Sequence, residues 1–235
     1  MTMHEHSADV YDALCAHLDY EGANRRLRGL VGDLVPDAAS LLDVACGTGR
    51  HLELLAPHYE VEGLDLSPQM LEVARTRCPN ARLHEGDLVD FSLDRTFDVV
   101  CCLFGSIGYA GSVANLDRAI SRLAVHVRPG GGVVVEPWVA PERFREGKLV
   151  YDSVRDDDLN VARMYVTRQV GRASVYEMDY IVGTPSGVTH FAEYQELGLF
   201  TDHEYRQAFA RAGLELADTD VDLFGYGLYA ARANG

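Results

Sequence analysis

The segment from Asp43 to Gly49 combines an acid with a glycine turn. It reads Asp-Val-Ala-Cys-Gly-Thr-Gly and directly follows the apolar pair Leu41-Leu42. Glycines between a strand and a helix let the backbone approach a ligand closely, and the N-terminus of that helix favours polar contacts. The acid in the strand favours a ligand that carries positive charge. The segment therefore predicts a small-molecule site at the carboxyl end of a strand.

Two more acids follow at the predicted ends of the next strands. Asp65 closes the apolar run that ends at Leu64, and Asp87 follows Gly86. A carboxylate at the tip of the second strand can accept both hydroxyl groups of an adenosine ribose. An acid at the third tip could accept the adenine amino group, with Leu88 supplying backbone contacts. Three acids in this order predict a ligand that contains adenosine.

Two adenosine ligands compete for this pattern. A nicotinamide dinucleotide site prefers the spacing G-x-G-x-x-G, but Leu52 occupies the place of the third glycine and Asp43 precedes the first. S-adenosylmethionine (SAM) carries an ammonium and a sulfonium in place of a pyrophosphate, so an acidic loop favours SAM. An NAD-dependent oxidoreductase and a non-catalytic SAM-binding module are the alternatives from other classes.

The surrounding sequence must place these acids along one edge of a sheet. Short apolar runs alternate with amphipathic stretches, and 113–127 has the clearest helical spacing. Ser67-Pro68 and the run 201–204 have the residue types that begin helices. The candidate strands are 40–45, 59–64, 81–85, 97–103 and 132–136. This alternation predicts an α/β fold with a mostly parallel sheet and helices on both faces.

Three regions divide the chain. Residues 1–35 are expected to form an N-terminal lid and helix, and residues 36–138 with 201–235 the cofactor-binding domain. Residues 139–200 carry β-type runs punctuated by glycine and proline, which predicts an antiparallel insertion that lines the acceptor site. An exposed strand edge in the insertion would favour a homodimer.

Composition narrows the partners. The chain has 36 acidic and 21 basic residues, for a net charge of −15, which disfavours nucleic acid and anionic membranes as partners. Five cysteines without CxxC spacing indicate free thiols, and scattered histidines give no metal-binding cluster. No apolar run is long enough to span a membrane, and no signal peptide is visible. We expect a cytoplasmic protein with a small-molecule substrate and no metal.

Three longer runs carry a closer resemblance. FGSIGY at 104–109, HVRPGG at 126–131 and VVVEPW at 133–138 resemble bacterial dTDP-3-aminosugar N,N-dimethyltransferases of macrolide antibiotic biosynthesis. These enzymes are class I SAM-dependent methyltransferases, and the similarity covers most of the chain. The resemblance implies a Rossmann-like fold with a seven-stranded sheet and SAM as cofactor. It also implies N-methylation of the amino group of a nucleotide-linked deoxyaminosugar.

The resemblance also implies roles for individual residues. Trp138 and Tyr226 would contact the substrate, and His126 and His190 would be the catalytic candidates. Tyr226 stands where this family has an arginine in a Gly-Arg-Gly run, and this keeps another amine or hydroxyl of a secondary metabolite open as acceptor. The residues expected around SAM are Tyr20, Asp43, Ala45, Gly47, Gly49, Asp65, Asp87, Leu88 and Leu103.

Methyl transfer from a sulfonium makes few demands on catalytic groups. It is an in-line displacement with a good leaving group, so alignment of the reactants can supply much of the acceleration. An amine acceptor must arrive neutral, and a histidine, a tyrosine or water can take its proton. We therefore expect no covalent nucleophile. His126 has a second interpretation, because a histidine near the end of a helix is also stabilised by the helix dipole.

Overall fold

The computed structural model describes residues 8–234, so the first seven residues of the predicted lid lie outside the described part. Within that part, no helix is both long and apolar enough to span a membrane. A 3₁₀ turn, Ser106–Ala110, follows the fourth strand. In chain order the other elements are α1 (Ala8–Cys15), α2 (Tyr20–Leu34), β1 (Ser40–Val44), α3 (Arg50–Leu55), β2 (Glu60–Asp65), α4 (Pro68–Arg77), β3 (Arg82–Glu85), β4 (Phe97–Cys102), α5 (Val113–Val125), β5 (Val127–Val135), β6 (Leu149–Arg155), β7 (Asn160–Val166), β8 (Arg168–Val170), β9 (Ala173–Thr184), β10 (Gly187–Gly198), α6 (Asp202–Arg211), β11 (Leu214–Ala217) and β12 (Tyr229–Ala233).

Seven strands form the larger sheet in the order β11-β12-β5-β4-β1-β2-β3. All neighbouring strands in the part β5-β4-β1-β2-β3 of this order pair in parallel, whereas β12 pairs antiparallel with β5 and with β11. Apolar clusters cover both faces of this sheet, which explains why its central strands are continuous apolar runs such as Val133-Val134-Val135. The predicted α/β class and mostly parallel sheet are confirmed.

The helix starts follow the sequence signals. Ser67 accepts a hydrogen bond from the Met70 N–H and Pro68 is the first residue of α4. Thr201 and Glu204 form a reciprocal capping box at the start of α6. These local signals fix where the helices turn back onto the sheet, and therefore where each parallel strand ends.

The chain order turns at β1. Strand β2 lies on one side of β1 and β4 on the other, so the loops after β1 and β4 leave the sheet in different directions. A crevice forms at such a switch point, beyond the carboxyl ends of the parallel strands. The glycine turn that follows β1 lies at this crevice.

The smaller sheet is antiparallel, in the order β10-β9-β7-β6, with β8 also paired to β9. Alternate residues of β9 point inward, and Tyr176, Met178 and Tyr180 are buried against Val10 and Leu14 of α1. The sequence predicted antiparallel strands here but did not predict β6. That strand alternates half-buried and exposed residues at the sheet edge, so it carries no continuous apolar run.

One local prediction is wrong. The sequence predicts a strand over 132–136, but β5 already begins at Val127 and contains Pro129–Gly132. The pairing with β4 jumps from Phe97–Val127 to Val99–Gly132, which marks a bulge. A Cβ on Gly131 would lie 2.6 Å from the Asp98 carbonyl oxygen, so the bulge requires glycine there.

Candidate functional site

A cavity of about 850 Å³ lies between the carboxyl edge of the larger sheet, helix α1 and the inner face of the smaller sheet. The loops after β1, β2 and β3 contribute Gly47, Asp65 and Asp87 to its wall. The segment after β5 contributes Trp138 and the loop before β12 contributes Tyr226. The cavity therefore collects residues from distant parts of the sequence into one cleft.

Asp65 holds the glycine loop in shape. One carboxylate oxygen accepts the Gly47 N–H and the other accepts the Ser67 N–H, both at 2.8 Å. Ala45 has a φ of 61°, a left-handed conformation that a residue with a Cβ adopts only when its surroundings impose it. Gly49 has a φ of 78°, and a Cβ there would lie 3.2 Å from the Cβ of Ala74. The loop is thus tightly packed behind and open towards the cavity.

Asp43 lies behind this loop and is almost fully buried. Burial, together with the nearby charge of Asp65, raises the pKa of Asp43 to about 8. Its Oδ1 atom has no hydrogen-bond partner within the described residues. A buried, unpaired carboxylate is stabilised by a nearby cation, and SAM carries two positively charged groups.

The third acid, Asp87, lies at the same edge beside Leu88. Its Oδ1 atom accepts the Val89 N–H at 2.9 Å, and both Asp87 and Leu88 line the cavity. The three strand ends therefore present acids and backbone groups in the order expected for ammonium, ribose and adenine. Asp65, Asp87 and Leu88 line the cavity and fit SAM by their chemistry, and the individual contacts to SAM stay predictions.

Helix α1 closes over the glycine loop. Asp12 accepts a hydrogen bond from the Thr48 hydroxyl at 2.6 Å and forms ion pairs with Arg77 and Arg50. Arg77 also donates to the Thr48 carbonyl oxygen at 2.6 Å. Since Thr48 lies between the two glycines of the loop, this network joins α1 to the glycine loop.

Aromatic side chains form the opposite half of the cavity. Tyr226 stacks on Trp138 with ring centroids 5.5 Å apart, and the Trp138 Nε1–H donates to the Ser174 hydroxyl at 3.0 Å. Tyr109 and Tyr176 also line this half. Burial raises the pKa of Tyr176 to about 12 and also raises the pKa of Tyr109, so both stay protonated phenols at neutral pH.

The structure does not bring the two predicted catalytic histidines to the cavity. His126 is buried, its Nε2 accepts the Leu93 N–H at 2.8 Å, and its ring stacks on Phe91. His190 lies on the outer face of the smaller sheet, where its Nε2 contacts Asp179 at 3.0 Å. Side chains of a strand alternate between its two faces, and the position of His190 in β10 lies on the outer face.

His17, which the sequence interpretation passed over, lines the cavity just after α1. Its Nδ1–H donates to the Leu14 carbonyl oxygen at 3.0 Å. Of the residues predicted around SAM, Tyr20, Asp43, Gly49 and Leu103 do not line the cavity. Tyr20 packs edge-on against Phe224.

The basic residues that line the cavity were also missed. Arg143, Arg145 and Lys148 lie in the segment between β5 and β6 and line the cavity with Arg163 of β7. Their motif signal is weak, since nothing in the sequence relates them to the glycine loop. Charge would have been the available signal, because Lys148 is the only lysine of an acidic chain.

Known proteins share this architecture and sequence. A family model described as a methyltransferase domain matches residues 41–131. The chain is 45% identical to a Streptomyces fradiae dTDP-3-amino-3,6-dideoxy-alpha-D-glucopyranose N,N-dimethyltransferase over 90% of this chain and 84% of that one. It is 42% identical to a Streptomyces venezuelae dTDP-3-amino-3,4,6-trideoxy-alpha-D-glucopyranose N,N-dimethyltransferase, over 94% and 95% of the two chains.

Solved structures agree. The crystal structure of Streptomyces venezuelae DesVI matches with a TM-score of 0.90 and 41% identity, covering 97% of this chain and 98% of that chain. SAM-bound CalS10, an amino pentose methyltransferase from Micromonospora echinaspora, matches with a TM-score of 0.85 and 40% identity over 96% and 95%. Identity at this level over nearly the whole length shows that these proteins share the fold and the cofactor. The chain belongs to the class I SAM-dependent methyltransferases, within the family that contains these sugar N-methyltransferases.

Proposed function

We propose that this methyltransferase transfers the methyl group of SAM to the amine of a deoxyaminosugar linked to a nucleoside diphosphate. The observation that carries the proposal is the division of charge in the cavity. Asp65 and Asp87 line the cavity from the strand ends of the larger sheet, whereas Arg143, Arg145 and Lys148 line it from the segment between β5 and β6. In a chain of net charge −15 such a basic group favours an anionic part of the acceptor, such as a diphosphate.

The positive charges of Arg143, Arg145 and Lys148 are available to a ligand. The Arg143 guanidinium donates to the Gly225 carbonyl oxygen, and that of Arg145 donates to the carbonyl oxygens of Glu142 and Phe144. Among residues 8–234, no carboxylate forms an ion pair with Arg143, Arg145 or Lys148. Arg163, by contrast, is already paired with Asp152 at 2.6 Å.

SAM, when bound, supplies an electrophilic methyl group on a sulfonium. The residues of the chain then have to orient a neutral amine, and none of them forms a covalent intermediate. The phenols of Tyr109 and Tyr176 stay protonated, so they act as hydrogen-bonding groups rather than as bases. We assign the loss of the amine proton to water or to His17, which also lines the cavity.

Turnover with matched acceptors tests the proposal. S-adenosylhomocysteine (SAH) should form with a dTDP-linked aminosugar, and much more slowly with the free aminosugar, since the free sugar lacks the diphosphate. Lys148→Met should raise the KM of the nucleotide-linked acceptor about tenfold, on the basis of one lost charge-assisted contact. Arg168→Met is the matched control, because Arg168 is paired with Glu177 outside this cavity.

Equal turnover of the free and nucleotide-linked sugars would refute the acceptor assignment. Turnover of unrelated amines or hydroxyls in place of the aminosugar would support the alternative acceptor class instead. CalS10 is involved in calicheamicin biosynthesis, and we place the present enzyme in antibiotic biosynthesis by analogy with it.

A further inference from the structure

Glu136 is a buried acid with no role in the cofactor site described above. It follows β5 directly and is fully buried. Its Oε2 atom accepts the Phe104 N–H at 2.7 Å and its Oε1 atom accepts the Phe224 N–H at 3.1 Å. One carboxylate therefore joins two loops that are far apart in the sequence.

The sheet order explains why Glu136 can reach both loops. Strand β5 lies between β4 and β12. Phe104 follows the carboxyl end of β4, and Phe224 precedes β12, which starts opposite the carboxyl end of β5. A side chain just beyond β5 is thus flanked by both loops, and the two phenylalanine rings meet edge-on with centroids 5.0 Å apart.

Both loops carry residues of the cavity wall. Phe104 has a φ of 55°, an unfavourable conformation for a residue with a Cβ, and Gly105 and Ser106 follow it in the wall. Two residues after Phe224, Tyr226 stacks on Trp138. The hydrogen bonds to Glu136 therefore fix the backbone on both sides of the aromatic half of the cavity.

Burying the Glu136 carboxylate away from water is unfavourable in free energy. Burial raises the pKa of Glu136 to about 7, although the two backbone N–H groups counteract this effect. An apolar residue would fill the same volume without this cost. An apolar residue cannot accept the two N–H hydrogen bonds that Glu136 accepts.

We propose that Glu136 is a positioning residue that holds the acceptor wall, formed by Trp138 and Tyr226, in register with the cofactor loop. Glu136 acts through the two loops, without a contact to the reactants. The role rests on the proposed function for the identity of the acceptor, but the position of the wall can be measured without any acceptor. Trp138 is the only tryptophan of the chain, so tryptophan fluorescence reports on the surroundings of this one side chain, including the stacked Tyr226.

The test compares Glu136→Gln with Glu62→Gln. Glu62 is equally buried, but its partners are His84, Arg82 and Arg95, away from the cavity. In Glu136→Gln, the amide NH₂ faces a backbone N–H, so one clamp is lost. The KM of the acceptor should rise about tenfold or more, as expected for a lost hydrogen bond to a charged group. The affinity for SAH should change by less than about threefold, because the residues around SAM keep their contacts.

Fluorescence supplies the readout that needs no acceptor. Tyr226→Ala gives the emission and acrylamide quenching of an unstacked Trp138, and the Glu136→Gln spectrum should move towards it. Glu62→Gln should lower the melting temperature without changing this spectrum or the acceptor KM. A Glu136→Gln spectrum identical to the wild type overturns the inference. A shifted spectrum in an enzyme that does not methylate the aminosugar refutes the proposed function instead.

If Glu136→Gln does not fold, the wild-type enzyme still decides. The amide hydrogens of Phe104 and Phe224 should exchange with solvent much more slowly than in an unfolded chain, because each is bonded to a buried carboxylate. Exchange of the Phe224 amide at the unfolded-chain rate would show that the clamp does not form, and would overturn the inference.

Discussion

Replacement of Asp65 by alanine is the sharpest perturbation of the cofactor site. The carboxylate already orients the glycine loop through the N–H groups of Gly47 and Ser67 at 2.8 Å, and it faces the cavity where a ribose would lie. A hydrogen bond to a charged group contributes about 1.5–3 kcal/mol, so losing two ribose hydroxyl contacts should cost roughly 3 kcal/mol or more. Since 1.4 kcal/mol is a factor of ten, SAH should bind at least about 100-fold more weakly.

Isothermal titration calorimetry with SAH measures this effect directly. Asp65→Asn should lose less affinity than Asp65→Ala, because the amide oxygen keeps one acceptor. Asp94→Ala is the control, since Asp94 is exposed in the loop before β4. Equal affinities for Asp65→Ala and Asp94→Ala, with both proteins folded, would refute the assignment of Asp65 to the ribose.

Four other predictions rest on individual residues. The pKa of Asp43 is about 8 in the free protein, and a bound cation should lower it, so SAH binding should release a proton. The affinity for SAH should therefore rise with pH up to about 8 and then level off. Asp43→Asn should abolish this pH dependence in calorimetry. Thr201→Ala should lower the melting temperature by about 2–4 °C through loss of the capping box, with unchanged kcat. His190→Ala should leave kcat and KM unchanged, because His190 lies on the outer face. His126→Leu should lower the free energy of unfolding by about 1–3 kcal/mol, because the Leu93 N–H loses its acceptor, with unchanged KM; a change in KM alone would contradict this structural role.

The parallel sheet and the cofactor edge were predictable from the sequence for a physical reason. Apolar runs, cap residues and glycine turns act locally, and Asp43, Asp65 and Asp87 each stand within one residue or two of a strand end. Parallel strands end at the same edge, so local signals were enough to place the three acids together. The glycine loop supplied the chemistry and the sheet supplied the proximity.

The acceptor half was less predictable, because its residues meet only through tertiary structure. His190 was expected in the cleft, but a strand turns alternate residues to opposite faces, and the register of β10 on β9 decides which face is inside. The division of the chain at residues 35, 138 and 200 and the homodimer stay predictions. The resemblance to a family supplied the substrate class that spacing alone could not.

Glu136 illustrates the limit most clearly. In the sequence it belongs to the run Val-Val-Val-Glu-Pro-Trp, where it looks like the polar end of a buried strand. Its two partners lie 32 and 88 residues away along the chain, and both are backbone N–H groups. No side-chain motif encodes such partners, since every residue except proline has an N–H. Only the order of β4, β5 and β12 brings them to one carboxylate, so the control of the acceptor wall is a property of topology rather than of motif.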